Sequence, residues 1–295
     1  MQLECFSLLD VRNELGEGPV WNPAEGALYW IDCIARKLLR YDPHDAEVKT
    51  WSLDKQPGAF AFRRNGGILV IYRNGLAFLD LESGIATPLD TAPVDFAKER
   101  FNDGKCDRLG RFWVGTMDRG VASPVGSLYR IDTDLRISIA QGAITLSNGI
   151  AWSPDARIMY HCDSRPGMVL RYDFDLESGT VSNRRTFIDY TDAQGQGRGR
   201  PDGCTVDAEG CLWVAEFGAG RVGRYDPDGK LVDVVTVPAD RPTSVMFGGA
   251  ELDTLFITSM RNGVPPERLA EQPLCGAVFA VQPGVRGLPE PWFAG

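Results

Sequence analysis

The sequence contains few of the residues on which the most common enzyme active sites depend. Two histidines, His44 and His161, occur among 295 residues, which argues against a zinc site built on a histidine pair. The pattern GxSxG is absent, so the commonest serine-hydrolase arrangement is not visible. Neither a P-loop nor a dinucleotide-binding fingerprint occurs. Among the common catalytic mechanisms, Lewis-acid catalysis by a bound metal ion remains.

Other missing features bear on location and partners. The seven cysteines are odd in number and include no CxxC pair, which favours a reducing cytoplasm over a disulfide framework. No apolar stretch approaches the roughly 18 residues of a membrane helix, and MQLECFSLLD does not resemble a signal peptide. The net charge of −9, with no basic run, argues against nucleic-acid binding. We expect a soluble cytoplasmic protein with a small-molecule partner and no membrane association. Composition leaves its oligomeric state open.

The chain is rich in one repeated unit. The motif that opens each unit has its glycine, or the residue equivalent to it, at Gly18, Ala59, Gly104, Gly149, Gly203 and Ser244. The spacings of 41, 45, 45, 54 and 41 residues match the period of a four-stranded propeller blade, roughly 40–50 residues. This repeat overrides the length-based expectation of about two domains. We predict an all-β chain, with residues 1–295 forming a single six-bladed β-propeller of four-stranded blades.

The sixth unit has no convincing fourth strand after GAVFAV. The N-terminal segment LECFSLL resembles the fourth strands of other units, and we predict that it pairs beside GAVFAV and closes the last blade. Closure of the ring would remove an exposed sheet edge. The tail QPGVRGLPEPWFAG is the competing candidate, but its prolines and glycines suit a strand poorly.

The residue before each motif glycine is expected to point into the mouth of the central channel, because the first strand of a blade lies nearest the axis. These six residues are Glu17, Gly58, Asp103, Asn148, Asp202 and Thr243. Clustered carboxylates resist ionising together, and a hard divalent cation such as Ca²⁺, Mg²⁺ or Mn²⁺ would resolve that conflict. The alternative is that each Asx-Gly pair is an ordinary turn, which Glu17 does not fit. At Asp103 the neighbouring Asn102 could face the channel instead.

Four segments carry a resemblance to a known family. They are LGEGPVW from Leu15, RFNDGKCDRLGRFWVGTM from Arg100, LSNGIAWSPD from Leu146 and PDGCTVDAEGCLWVAEF from Pro201. In this order they resemble the SMP-30, gluconolactonase and sugar lactonase family, which implies the same six-bladed propeller. The resemblance further implies a divalent metal ion, with Zn²⁺ a fourth possibility, held by Glu17, Asn148 and Asp202.

The resemblance also implies an activity, the metal-dependent opening of a sugar (aldono-) lactone to the aldonic acid in sugar catabolism. Asp202 would then serve as the general base as well as a ligand. Arg100 and Asn102 are implied to contact the substrate, which leaves Asp103 in a supporting role. Asp118 matches, in a less regular register, an acidic residue that follows the GTM segment of the family, so we include it as a substrate-binding candidate.

Two other functions fit the same residues. One is a metal-dependent hydrolase of aryl or phosphate esters on the same propeller, and the other is a calcium-binding propeller without catalysis. Specificity would lie in loop arginines, namely Arg73, Arg119, Arg165, Arg198 and Arg200. They raise the hypothesis of a substrate with an extra acidic group, against the alternative that they only solvate the loops. The glycine-rich loop 193–200 is predicted to lie over the site.

Overall fold

The structure, a computed structural model, describes residues 2–91, 93–191 and 199–295. In these residues, 25 strands form six sheets, and there is one short helix. β1 (Gln2–Glu4) and β2 (Phe6–Leu9) precede the first blade and join the last two blades. The prediction of an all-β, six-bladed propeller is confirmed.

The blades follow one another along the chain. Blade 1 consists of β3 (Gly16–Asn22), β4 (Ala27–Asp32), β5 (Lys37–Asp42) and β6 (Glu47–Ser52). Blade 2 consists of β7 (Pro57–Phe62), β8 (Ile68–Tyr72), β9 (Gly75–Leu79) and β10 (Ala86–Leu89). Blade 3 consists of β11 (Glu99–Cys106), β12 (Phe112–Asp118), β13 (Gly126–Ile131) and β14 (Ile137–Ile144).

The second half repeats the pattern. Blade 4 consists of β15 (Ser147–Trp152), β16 (Ile158–Asp163), β17 (Met168–Asp175) and β18 (Thr180–Asp189). Blade 5 consists of β19 (Arg200–Val206), β20 (Leu212–Phe217), β21 (Arg221–Tyr225) and β22 (Leu231–Thr236). Blade 6 consists of β23 (Pro242–Gly248), β24 (Thr254–Ser259), the helix α1 (Pro266–Glu271) and β25 (Val278–Val281).

The N-terminal segment closes the ring, as predicted, through β2. It pairs antiparallel with β25, with Phe6 opposite Ala280. The prediction treated LECFSLL as a single strand, and this part was wrong. β1 pairs instead in parallel with β22 of blade 5, with Leu3 opposite Val235. The chain thus changes sheets at Cys5, and the N-terminus ties two neighbouring blades together.

The C-terminal tail runs across the far end of the channel. Phe293 donates its amide hydrogen to Phe62 O at 2.8 Å, and Ala294 donates to Gly110 O at 2.9 Å. Phe62 and Gly110 both lie near the C-terminal ends of inner strands. We call the end where the inner strands β3, β7, β11, β15, β19 and β23 begin the mouth. The tail therefore closes the floor of the channel.

The core consists of the interfaces between blades. The inner strands contact one another in cyclic order, and each of the six apolar clusters in the described residues spans two neighbouring blades. Trp213 of blade 5, for example, meets Phe247 of blade 6 edge to face at 5.8 Å. Second strands such as β4 and β8 are buried along their whole length. Burial on both faces explains their continuous apolar sequences.

The aspartate that follows two of the inner strands is structural. Asp207 accepts hydrogen bonds from Trp213 Nε1 and Arg224 Nε, both at 2.9 Å. In blade 3, Asp107 accepts from Trp113 Nε1 at 2.9 Å. Because a buried carboxylate needs donors, these aspartates fix the first hairpin of the blade. Part of the repeated motif therefore encodes the fold.

No helix in the described part of the chain is long and apolar enough to cross a membrane.

Candidate active site

Every inner strand changes register at the mouth. The shifts lie between Glu17 and Val20, Pro57 and Ala59, Phe101 and Gly104, Ser147 and Ile150, Pro201 and Cys204, and Pro242 and Ser244. The six predicted ring positions lie at or inside these irregular segments. Since a β-bulge changes the direction in which a side chain points, each blade can aim one residue out of its sheet and into the mouth.

The glycines after the ring residues allow neighbouring inner strands to approach closely. A Cβ atom on Gly149 would lie 2.5 Å from Asp202 O and 2.7 Å from Cys204 N. Gly203 lies in the same way against Ser244 of the next blade. Neither glycine has a positive φ. The glycine in these Asx-Gly pairs is thus required by packing between blades rather than by a turn.

A Gly149→Ala variant is expected to lose about 1–3 kcal/mol of unfolding free energy, because the added methyl group meets backbone atoms that cannot rotate away. Gly75→Ala is the matched control. Gly75 has an ordinary φ and nothing within 4 Å of the added atom, so its stability should stay within about 0.5 kcal/mol of wild type. Urea unfolding measures both. Equal stabilities would show that the inner strands separate without cost.

Three carboxylates meet at the mouth. Burial raises the pKa of Glu17 well above its usual value, and the charges of Asp202 and Asp103 raise it further. Burial also raises the pKa of Asp202, with a further contribution from Asp103. The pKa of Asp103 rises to about 6 through burial, against the opposing effect of Lys105. These carboxylates therefore disfavour one another's ionised form, as clustered buried acids do.

The amide of Asn148 is oriented by its neighbours. Its Nδ2 donates to Ser164 Oγ at 2.7 Å, and its Oδ1 accepts from Asn102 Nδ2 at 2.6 Å. Behind it, Ser147 Oγ lies 2.7 Å from His161 Nε2. Burial lowers the pKa of His161 to about 3, so this histidine is neutral and supports the strand that carries Asn148.

The residues present fit a hard divalent cation. Asp202 Oδ1 is buried and has no hydrogen-bond partner among the residues that the structure describes. Within residues 2–91, 93–191 and 199–295, no group of three or more His, Cys, Asp or Glu side chains could hold a metal ion. A ligand set therefore needs an oxygen from another kind of group, which the amide of Asn148 can supply. The set formed by Glu17, Asp202 and Asn148 supplies oxygen atoms only, which suits Ca²⁺, Mg²⁺ or Mn²⁺.

The two predicted substrate-binding residues of β11 lie beside this group. Arg100 Nη1 donates to Asn102 Oδ1 at 3.0 Å and to Phe101 O at 3.2 Å. Asn102 Nδ2 donates to Ser147 O at 2.7 Å as well as to Asn148. Burial, assisted by the charges of nearby arginines, lowers the pKa of Arg100 to about 10. Arg100 thus stays cationic at neutral pH.

Asp118 stands at the end of β12, where its carboxylate organises a loop. Its Oδ2 accepts from the amides of Ala122 at 2.8 Å and Ser123 at 3.1 Å, and these bonds lower its pKa. A contact between Asp118 and substrate stays a prediction. Arg198 and most of the loop 193–200 lie outside the described residues. Arg165 and Arg200 are exposed.

Two aspartates in supporting roles were not identified from the sequence. Asp32, at the end of β4, accepts from Glu14 N at 2.8 Å and Leu15 N at 3.2 Å. Asp163, at the end of β16, does the same for Leu146 N at 2.8 Å. Each holds the segment that leads into a strand with a candidate ligand. The shared signal in the sequence is an aspartate that ends the second strand.

The channel beneath the predicted ring positions narrows to a small cavity. Lys105 Nζ donates to Cys204 O at 3.0 Å and lies 3.9 Å from Glu290 Oε2 of the tail. A cavity of about 30 Å³ remains between Asp103 and Trp292, which is room for about one or two water molecules. A substrate therefore has to reach the carboxylates from the mouth.

Comparison with known proteins identifies relatives that span the whole chain. Residues 15–261 match the family model described as SMP-30/Gluconolactonase/LRE-like region. A 6-deoxy-6-sulfogluconolactonase from Pseudomonas putida is 42% identical over 281 residues, which cover 95% of each chain. Regucalcin from Oryctolagus cuniculus is 35% identical over 302 residues, which cover 100% of this chain and 99% of that protein.

A solved structure agrees with the fold as a whole. The calcium-binding protein regucalcin from Agrobacterium tumefaciens superposes with a TM-score of 0.92 at 27% sequence identity, covering 100% of this chain and 99% of the other. With the family model matched from the first inner strand to the end of β24 and relatives similar over their full length, the chain belongs to the SMP-30/gluconolactonase/LRE-like family.

Proposed function

We propose that the chain hydrolyses a sugar lactone to the free aldonic acid with the aid of one divalent metal ion, as a step of sugar catabolism. Its family and its lactonase relative make it a lactone hydrolase. The metal dependence, the sugar substrate and the roles of individual residues are our proposal. The observation that carries it is the buried Asp202 Oδ1, which has no partner among the described residues and lies beside an amide network that ends at Arg100.

Glu17, Asn148 and Asp202 would hold the ion. When bound, a divalent cation supplies Lewis-acid chemistry, which polarises a carbonyl group and acidifies water. Calcium is the first ion to test, because the regucalcin from Agrobacterium tumefaciens is described as calcium-binding. Magnesium, manganese and zinc complete the test. We also propose a cytoplasmic location, since all seven cysteines are free thiols.

Asp202 would act as the general base. Its carboxylate accepts a proton from water as the water oxygen attacks the lactone carbonyl carbon. When the bond between that carbon and the ring oxygen breaks, the proton returns to the ring oxygen and gives the hydroxy acid. The guanidinium of Arg100 stabilises the oxyanion formed between these steps, and Asn102 binds a hydroxyl group of the ring.

The proposal is tested by proton release from a panel of glucono-, galactono-, xylono- and arabinonolactones beside aryl and phosphate esters. We expect kcat/KM for at least one lactone to exceed that for every ester by about tenfold or more, because the polar groups at the mouth match ring hydroxyls that a simple ester lacks. Faster ester hydrolysis would favour the esterase alternative. Tight calcium binding without turnover of any compound would favour a binding protein.

A further inference from the structure

Three arginines converge on one side of the mouth, between blades 2 and 3. Arg73 directly follows β8, and its carbonyl oxygen accepts from Phe101 N at 2.9 Å. Arg100, the residue before Phe101, is paired with Met117 of β12. Arg119 directly follows that strand and donates its amide hydrogen to Lys98 O at 3.1 Å. Backbone bonds thus bring the three residues to one patch, which we call the arginine patch.

The arginine patch adjoins the three carboxylates at the mouth. The buried thiol of Cys33 interacts with both groups. Burial raises its pKa, the charge of Glu17 raises it further, and the charges of Arg73 and Arg100 oppose that rise. Arg100 in turn contacts Asn102, whose amide reaches Asn148. A ligand of sugar size can therefore contact the carboxylates with one end and the arginine patch with the other.

The arginine patch has no acidic partner among the described residues. Arg40, Arg111 and Arg224 in the blades each pair with carboxylates, but no ion pair involves the arginines of the patch. Arg119 Nη1 donates to the carbonyl oxygen of Phe96 at 3.2 Å. The two acids adjacent along the chain have other partners: Asp118 is engaged by loop amides, and Glu99 accepts from the hydroxyl group of Tyr129 at 2.8 Å.

Like charges that are held together without counter-charge repel one another, and an oxyanion relieves this repulsion. Arg73 and Arg100 are half-buried, and Arg119 is exposed. Arginines that only solvate loops have no reason to lie together. Arg73 and Arg119 come from separate blades and nevertheless lie on either side of Arg100. Guanidinium groups also bind sulfonate, phosphate and carboxylate groups through paired hydrogen bonds.

We propose that Arg73 and Arg119 form a subsite for a second anionic group on the substrate, at the end away from the lactone carbonyl, whose oxyanion Arg100 contacts. The substrate class is then an anionic sugar lactone, with a sulfonate, phosphate or carboxylate at the end of the sugar opposite the lactone. This inference rests on the proposed function.

The test compares gluconolactone with derivatives that carry a sulfonate or a phosphate at the terminal carbon. In the wild type, kcat/KM should favour an anionic derivative, and added salt should reduce the preference because charges at the mouth are screened. Arg73→Gln and Arg119→Gln should each lower the ratio of kcat/KM between anionic and neutral lactone by about tenfold to a hundredfold, mainly through KM. Arg119→Lys should keep part of the preference.

Arg157→Gln is the charge-matched control. Arg157 is an exposed arginine in the turn between β15 and β16, at the floor end of blade 4, and the ratio should stay at the wild-type value. Equal losses on neutral and anionic lactones, or no anionic preference in the wild type, would overturn the subsite.

Calorimetry with the sulfonated aldonic acid separates the subsite from the proposed function. Binding that weakens tenfold or more in Arg73→Gln supports the subsite even if no lactone is turned over, an outcome that would overturn only the proposed function. Binding that is equal in wild type and variant overturns the subsite.

Discussion

An Asp202→Asn variant is expected to hydrolyse sugar lactones about a thousandfold more slowly than the wild type, even with saturating metal ion. The asparagine has nearly the same shape, but it cannot accept a proton from water, and general-base catalysis contributes about 10²–10⁴-fold. It also removes one negative charge from the ligand set. Stopped-flow proton release, with the metal content of the purified proteins measured alongside, checks the expectation.

Two further variants separate a role of Asp202 as general base from a role as metal ligand alone. Asp226→Asn is the control, because Asp226 belongs to the same blade and accepts two backbone hydrogen bonds in a turn far from the mouth; its activity should match wild type. Glu17→Gln tests ligation alone, and its loss should be recovered largely at high metal concentration. If Asp202→Asn recovers in the same way, Asp202 is only a ligand and the general base lies elsewhere.

The fold could be predicted because every blade of a propeller repeats the same pattern of burial along the sequence. Each second strand is buried on both faces, so ALYWID and CLWVAEF are continuous apolar runs, and their spacing defines the blades. The division of the N-terminal segment between two sheets could not be predicted. No glycine or proline near Cys5 divides the segment, and the choice of partner depends on edges that exist only once blades 5 and 6 have formed.

The candidate ligands were accessible to sequence reasoning for the same reason. Glu17, Asn148 and Asp202 occupy one register, and a shared register places residues from distant segments at the same height of the ring. The role of the glycines was less accessible. An Asx-Gly pair is an ordinary turn signal, and only the contact between Gly149 and the backbone of the next inner strand shows the packing reason.

The arginine patch illustrates what a repeat cannot reveal. Arg73 and Arg119 each follow the second strand of their blade, whereas Arg100 lies in a first strand. Sequence reasoning therefore assigned Arg73 and Arg119 to loops and treated Arg100 separately. The bond from Arg119 N to Lys98 O brings Arg119 towards Arg100 within blade 3, and the bond from Phe101 N to Arg73 O brings Arg73 towards them from blade 2.

In the metal-free protein, Asp103→Asn is expected to raise stability near pH 7 by on the order of 3 kcal/mol relative to wild type, and to change it little near pH 4. The folded-state pKa of Asp103 is about 6, above its ordinary value of 3.8. As pH rises from 4 through 6, the unfolded chain releases this proton before the folded chain does. The unfolded state then binds fewer protons, so the wild type loses stability as pH rises.

Urea unfolding in the presence of a chelator, at intervals from pH 4 to pH 8, measures the effect. The raised pKa values of Glu17 and Asp202 should extend the loss in the wild type above pH 6. Asp103→Asn should reduce it there as well, because it removes a charge that raises both values. Saturating calcium should abolish the advantage of the variant, since a bound cation stabilises the carboxylates in the ionised form. A difference that is constant with pH would mean that Asp103 ionises without strain in the folded protein, and the electrostatic case for a cation at the mouth would then rest on Asp202 and Glu17 alone.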